Sequence, residues 1–559
     1  MKRILFFVHY NKYNSLAEYV VYLLEHIKHI YNKIVFISNS SISDTDQIKL
    51  ESLCDEIIRR DNTGFDFGVW RDALLREGWD KLSEYDNVTL MNDSCFGPLF
   101  DLEVSYKKME QQDIDFWGMT DHSLCFHKKV IESNVFQNFW NMLANEKDID
   151  NLKHIYEKQL TVLLNKKGYK FTTFLNSTNS DNLSLLRPDL CIINSLPFIE
   201  IKSFKNFNYP NYLLQLIENK TDYPVSMILN YFTELFDPST SLPIINKTLT
   251  NDFSNSNKAN DTPEISIALH LHVYYLNIFK EFVQIFDNLQ YKYDLIITTD
   301  TIEKQNEIKE YLCGHKTKDR LKEILIFDNI GRDIVPWISI SSILTNYDIV
   351  GHFHTKKTSD KEEYFASLWL NELFDLLLYP ISLIVDTFNN NSKIGIIIPE
   401  IPYIFQYPNI RIPLHEKKTR QLMNDLWQEM KCSRQIDFTK LSTLIFPFGT
   451  MFWYRPKALK PLFNINLKTL GNISEPLSPN RTSLHSIERI LVYIAWNEGF
   501  DYRISSHKIP LINSFHYSSA IENLIQNYTS SESYQIGKFL LFVPGLLKRV
   551  IKRKINEKY

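Results

Sequence analysis

Carboxylates in repeated surroundings are the first feature of this sequence that could do chemistry. Asp66 lies in DNTGFDFGVW (61–70) and Asp333 in DNIGRDIVPW (328–337), strings that also share Asn62/Asn329, Gly64/Gly331 and Trp70/Trp337. Glu157 heads EKQLTVLLNKKGYKF and Glu488 heads ERILVYIAWNEGFDY, with Leu at +3, Gly at +11 and aromatics at +12 and +14 in both. A carboxylate that begins a helix can serve as a general base, and the helix dipole alone also favours an acid there. Gly64 and Gly331 suit a positive φ or a close backbone approach. Asp66 and Asp333 can accept hydrogen bonds from a ligand, cap the helices that carry Trp70 and Trp337, or do both.

Alternating strands and helices position these residues. ILFFV (4–8), the helical spacing of SLAEYVVYLLEHIKHI (15–30), KIVFIS (33–38) and DTDQIKLESLC (44–54) read strand, helix, strand, helix. ISIALHLHV (265–273), IFKEFVQIFDNL (278–289), YDLIITTD (293–300) and EKQNEIKEYL (303–312) repeat that order. Such alternation predicts a mostly parallel sheet wrapped by helices. Tyr85-Asp86 and Tyr347-Asp348 each precede an apolar strand, and six residues after these aspartates Asn92 and His354 end the strands. Several matches in one order predict two similar α/β domains, at 1–235 and 265–520. The polar stretch FDPSTSLPIINKTLTNDFSNSNKANDTPE between them predicts a linker over 236–264.

Bulk composition agrees with this division. A chain of 559 residues exceeds one compact core, and 44% hydrophobic with 23% charged residues describes a globular protein. A net charge of −4 excludes a chain acting as a whole as a nucleic-acid binder. Six scattered cysteines, without a CxxC pair, read as a reduced, cytosolic setting. No apolar run reaches the roughly 18 residues that a membrane crossing needs, and residues 4–8 read as a first strand, not a leader.

RRDNTGFDFGVWRDAL, YDNVTLMNDSCFGPL and DFWGMTD resemble the first half of the rhamnan-synthesis protein F family; NIGRDIVPW, YDIVGHFHTKK, IGIIIPE, FPFGTMFWYRP and HSIER resemble its later motifs. The resemblance covers roughly residues 1–520. It implies two tandem GT-A-like glycosyltransferase domains in a cytoplasmic rhamnosyltransferase at the inner face of the cell membrane. Its donor would be dTDP-rhamnose and its acceptor an undecaprenyl-diphosphate-linked saccharide of a growing polysaccharide. Glu157 and Glu488 would then be the bases of an inverting transfer. Asn62, Gly64, Asp66, Asn92, Asp93, Asn329, Gly331, Asp333, His354 and Lys356 would hold the donor. Rival readings are a polysaccharide-binding or assembly scaffold without activity, one active and one degenerate half, or a GT-B enzyme with a single cleft.

Where GT-A enzymes carry Asp-x-Asp, this chain has Asn92-Asp93-Ser94 and His352-Phe353-His354-Thr355-Lys356-Lys357. Asp93 could hold Mg or Mn if phosphates and waters complete the shell. The second string lacks an acid, so no metal is expected there; Lys356 and His354 are expected to meet the diphosphate directly, with His352 in the core. The aromatics of FGTMFW (448–453) read either as a sugar platform or as sheet packing, and Arg489 as a phosphate guide or a partner for a surface acid. Lys548, Arg549, Lys552, Arg553 and Lys554, interleaved with Leu546, Leu547, Val550 and Ile551, give a basic amphipathic tail over 521–559 suited to an anionic membrane surface or to docking on the protein.

Overall fold

A computed structural model describes residues 1–507 except 12, 62–64, 121–122, 144–157, 176–182, 207–208, 250–264, 356–362, 403–416, 442 and 468–482. The chain divides into two compact units. The first joins Met1–Lys247 to Arg434–Ile445; the second comprises Thr248–Ser433 and, among the described residues, 446–507.

The first unit is built on seven strands: β1 (Arg3–His9), β2 (Lys33–Ser38), β3 (Glu56–Arg59), β4 (Asn87–Asn92), β5 (Phe116–Thr120), β6 (Ser123–His127) and β7 (Phe171–Thr173). Their order is β3-β2-β1-β4-β6-β5-β7. β1, β2, β3 and β4 run parallel, β6 is antiparallel to both neighbours, and β7 is parallel to β5. ILFFV of β1 is buried on both faces, as a central parallel strand must be. Helix α1 (Glu18–Ile27) lays Tyr19, Val20, Leu23, Leu24 and Ile27 onto one side, and α2 (Phe65–Glu77) carries buried Trp70 on the other. Helix α3 (Lys158–Lys166) buries Leu160 and Leu164.

The second unit has eight strands: β8 (Thr248–Leu249), β9 (Ile267–Val273), β10 (Asp294–Thr299), β11 (Leu321–Ile326), β12 (Ile349–His354), β13 (Ile394–Pro399), β14 (Phe452–Tyr454) and β15 (Asp501–Ser505). Read from the β11 edge the order is β11-β10-β9-β12-β14-β13-β15-β8. β14 is antiparallel to β12 and β13, while β9 to β12, and β13 with β15, pair parallel. Apart from β8, every strand therefore has a counterpart of the same place and sense in the first unit. Helices α4 (Leu276–Phe286), α5 (Ile334–Ser339) and α6 (Ser483–Asn497) pack on this sheet, α4 through Phe279, Phe282 and Phe286.

Two expected boundaries move. Residues 236–247 are not linker: Asp237 caps Pro238–Ser241 with its side chain, and Ile244, Ile245 and Lys247 are buried in the first unit. Thr248 and Leu249 pair with β15 in the second sheet, and the rest of the predicted linker, 250–264, lies outside the described residues. Nor is 265–520 continuous. Arg434 donates to the carbonyl of Glu234 and Ser239 to that of Thr443 (2.7 Å), which ties 434–445 to the first unit. Apolar periodicity reports which face of an element is buried, not which unit buries it. Among the described residues no single helix is long and apolar enough to cross a membrane.

Candidate functional site

In the second unit the carboxyl ends of the parallel strands meet the turn before β14. His270 and His272 on β9 lie opposite His352 and His354 on β12, so four imidazoles share one sheet face. All four are buried, His270 and His352 completely. Asp333 stands over them, with Oδ2 3.5 Å from His352 Nε2 and 3.8 Å from His354 Nε2. It sits at the N-cap of α5 yet makes no capping bond there, so it faces the histidines and not the helix. Gly331 at φ +74° and Arg332 at φ +56° fold the loop that delivers it.

Burial by itself would raise the Asp333 carboxyl; the imidazoles of His354, His352 and His272 outweigh that and hold it well below its ordinary value. Burial drives His270 well below the usual imidazole range, lowers His352 and brings His272 to about 4. Three neutral rings thus face an ionised acid, and this orders their protons. With the proton of His352 on Nε2, toward Asp333, its Nδ1 accepts from His270 Nδ1 at 2.9 Å. His270 Nε2 then accepts from Thr298 Oγ1 at 3.0 Å, which in turn accepts from His272 Nδ1 at 3.0 Å.

His354 turns its Nε2 to the carbonyl of Gly449, 2.6 Å away, and must donate there because a carbonyl only accepts. Gly449 and Thr450 both have positive φ, +83° and +57°. A Cβ on Gly449 would lie 2.8 Å from the Trp369 ring, so glycine is required. The amide of Gly449 and the hydroxyl of Thr450 donate to Glu488 Oε1, at 3.0 and 3.2 Å. Glu488 Oε2 lies 3.8 Å from Arg489 Nη1, and the carboxylate side chain is 14% exposed. One oxygen is anchored by two donors while the other faces Arg489.

The first unit repeats the placement with other chemistry. Asn92 Nδ2 donates to Asp66 Oδ2 at 2.7 Å, and Ser94 fixes the amide by donating to Asn92 Oδ1 from N (3.2 Å) and Oγ (2.7 Å). Asp93 Oδ2 accepts from the Tyr10 amide at 3.0 Å and lies 3.9 Å from His9 Nε2. Burial, with the charge of Asp66, pushes Asp93 up to about 7, and burial takes His9 down to about 4. Tyr19, whose hydroxyl donates to the Asp93 carbonyl at 2.5 Å, also lines a cavity of about 630 Å³ with Ser15, Glu18, Asn230, Tyr231 and Glu234.

Several expectations change. His354 does not present an open nitrogen to a diphosphate: it is 4% exposed and its Nε2 is committed to Gly449. Glu488 is not at a helix start, since α6 begins at Ser483 and places it in the second turn. Asp66 likewise lies inside the first turn of α2, not at its cap. The FGTMFW aromatics are no platform, because Phe448 is buried and Phe452 and Trp453 are fully buried in the sheet. Arg489 is 2% exposed, donates to the His485 carbonyl, lies over the Phe446 ring and has the neighbouring Glu488 as its acid partner at 3.8 Å. Asn329 is exposed beside the site. Asn62, Gly64, Glu157, Lys356 and the basic tail with Lys548, Arg549, Lys552, Arg553 and Lys554 lie outside the described residues. His270, His272, Thr298 and the Gly449–Thr450 turn were not anticipated; a His-x-His pair in each of two neighbouring strands was the available signal.

Among the described residues no three His, Cys, Asp or Glu side chains are placed to hold a metal ion. Asp93 is held by the Tyr10 amide and lies near enough to Asp66 to feel its charge; a divalent cation there would need phosphate and water oxygens to complete its shell.

A family profile described as "RgpF: Rhamnan synthesis protein F" matches residues 34–500. The curated protein described as "Uncharacterized protein WxcX" of Xanthomonas campestris pv. campestris (strain B100) is 27% identical over 230 residues, which is 40% of this chain and 31% of that protein. "Uncharacterized protein y4gN" of Sinorhizobium fredii is 27% identical over 171 residues, 28% of this chain and 44% of that one. These matches span less than half the length of either relative. Among solved structures, the glycosyltransferase GlyE of Streptococcus pneumoniae TIGR4 is similar at 11% identity and a TM-score of 0.23, covering 64% of this chain and 87% of that one. Glucosyl-3-phosphoglycerate synthase of Mycobacterium tuberculosis, in complex with Mn2+, UDP and glucosyl-3-phosphoglycerate, is similar at 12% identity and a TM-score of 0.23, covering 48% of this chain and 79% of that one.

Proposed function

The chain belongs to the rhamnan synthesis protein F family, and on that premise we propose that it is a polysaccharide-building glycosyltransferase with two GT-A-like halves derived from one ancestral domain. Each half takes rhamnose from dTDP-rhamnose and passes it to a lipid-diphosphate-linked saccharide. The basic tail carries the chain to the anionic inner leaflet where that acceptor resides.

The observation that carries this reading is the Glu488 carboxylate, anchored through Oε1 beside the strand ends, where ligands of open α/β sheets bind. Oε2 takes the proton of the acceptor hydroxyl. The freed oxygen attacks the anomeric carbon of the donor as the bond to the departing diphosphate breaks, giving dTDP and an inverted, α-linked rhamnoside. Glu157 holds the equivalent sequence position in the first half. Asp66 and Asp333 organise the two strand-end sites, and no step here is routed through a metal ion.

Glu488→Gln in the full chain keeps the anchored shape and removes the base. Rhamnose transfer from dTDP-β-L-rhamnose to a synthetic lipid-diphosphate saccharide should fall by about 10²–10⁴ for the linkage made by the second half, and Glu157→Gln should do the same for the first. Unchanged transfer in both variants would leave a scaffold as the better reading.

A further inference from the structure

We infer that His354, held by Asp333, is the positioning residue for the base of the second half and acts through the Gly449–Thr450 turn without touching the donor. This rests on the reading of Glu488 given above. Two adjacent peptides carry the argument. The peptide ending at the Gly449 amide donates to Glu488 Oε1 at 3.0 Å. The next one, from the Gly449 carbonyl to the Thr450 amide, is gripped on its other side by His354 Nε2 at 2.6 Å.

The turn needs that grip. Thr450, a β-branched residue, sits at φ +57°, a conformation that such residues adopt only where their surroundings impose it. The Pro447 carbonyl, His354 and Glu488 impose it together. Without the His354 bond the 449–450 peptide keeps only the bond from its Thr450 amide to the Pro447 carbonyl, at 3.2 Å, and the Thr450 hydroxyl, 3.2 Å from Oε1, shifts with it. Oε1 is then held by one donor instead of two, and Oε2 loses its aim at an incoming hydroxyl. Asp333 adds a buried anion on the same edge of the ring, its Oδ2 3.8 Å from Nε2, which favours the tautomer that carries the proton there. A displacement of about 1 Å at a reacting group can cost roughly 100-fold in rate.

Phenylalanine in place of His354 keeps the ring and removes the donor; glutamine restores an N–H. In the full chain, His354→Phe should lower kcat for the second half's linkage by about 50- to 100-fold with the KM for dTDP-rhamnose within twofold of the parent. His354→Gln should recover most of the lost rate. Hydrogen exchange over 446–451 should quicken in the Phe variant and return toward the parent in the Gln variant. Thr450→Val, which keeps both His354 and the backbone, should lower kcat several-fold and serves if the Phe variant does not fold. A rise of tenfold or more in donor KM at unchanged kcat would overturn the inference and return His354 to the diphosphate. Unchanged exchange over 446–451 would also overturn it. Quickened exchange with unchanged transfer would also overturn it, while Glu488→Gln alone decides the role of the base, so the two ideas fail separately.

Discussion

The two units place the same strand pair under the same aspartate and fill it with opposite chemistry. On β1 and β4, Phe6 faces Leu90 and Val8 faces Asn92; at the matching register on β9 and β12, His270 faces His352 and His272 faces His354. The first unit's face is apolar core capped by one amide. The second unit's face is a chain of imidazoles anchored on a buried anion. A shared topology therefore fixes where a site lies and leaves its electrostatics open. Asn92 and His354 do the same geometric job beside Asp66 and Asp333, but only the imidazole also reaches across to a neighbouring turn.

The comparison breaks most sharply at the aspartates. Asp333→Asn should cost the second unit about 2–3 kcal/mol, because it takes the charged acceptor away from buried imidazole N–H groups, whereas Asp66→Asn, which keeps an acceptor for the Asn92 amide, should cost about 1 kcal/mol. Chemical denaturation followed by hydrogen exchange in β12 and in β4 would read the two separately, and equal losses would dissolve the contrast.

Gly449→Ala should follow at about 1–3 kcal/mol, since φ is +83° and the new Cβ would meet the Trp369 ring at 2.8 Å. Thermal melting reads it; a neutral outcome would mean that the turn is not strained.

Acid should separate the units as well. His270, His272 and His352 have folded values below the ordinary 6.5. The stability they contribute is complete above that value and is lost as pH falls from 6.5 toward about 4. In the first unit His9, brought down to about 4, behaves the same way. Asp93, raised to about 7, is opposite in sign: its contribution is full below the ordinary carboxylate value and is lost as pH rises to about 7, so it offsets His9 on acidification. Between pH 7.5 and 5, exchange should quicken more in β9 and β12 than in β1 and β4. Equal quickening would show that the imidazole chain is not neutral at pH 7.

The smallest effect is expected from Asn92→His. An imidazole there would still meet Asp66 but would keep Phe6, Val8 and Leu90 as neighbours, so the first unit should lose about 1 kcal/mol by thermal melting and gain no second contact. A large gain in stability would mean that the two settings are interchangeable after all.

Much of this was legible from residue order. The strand–helix alternation, the paired aspartates and the equivalence of Asn92 with His354 followed from period and spacing. What stayed hidden was direction. That His354 would be shut inside the sheet depended on β14 arriving antiparallel beside β12, and nothing in FPFGTMFWY announces that sense. Glu488 seemed to open a helix because the string match begins with it, whereas HSIE already belongs to α6. The ownership of Arg434–Ile445 by the first unit rests on contacts between residues about 200 positions apart, which local pattern does not encode.

That last segment bears on how the chain comes to be made. Residues 1–247 leave the ribosome well before Arg434–Ile445, so the earlier unit has to wait, incompletely closed, while β8 through β13 of the later one are synthesised. A single cut after Lys247 would likewise strand those twelve residues on the wrong fragment.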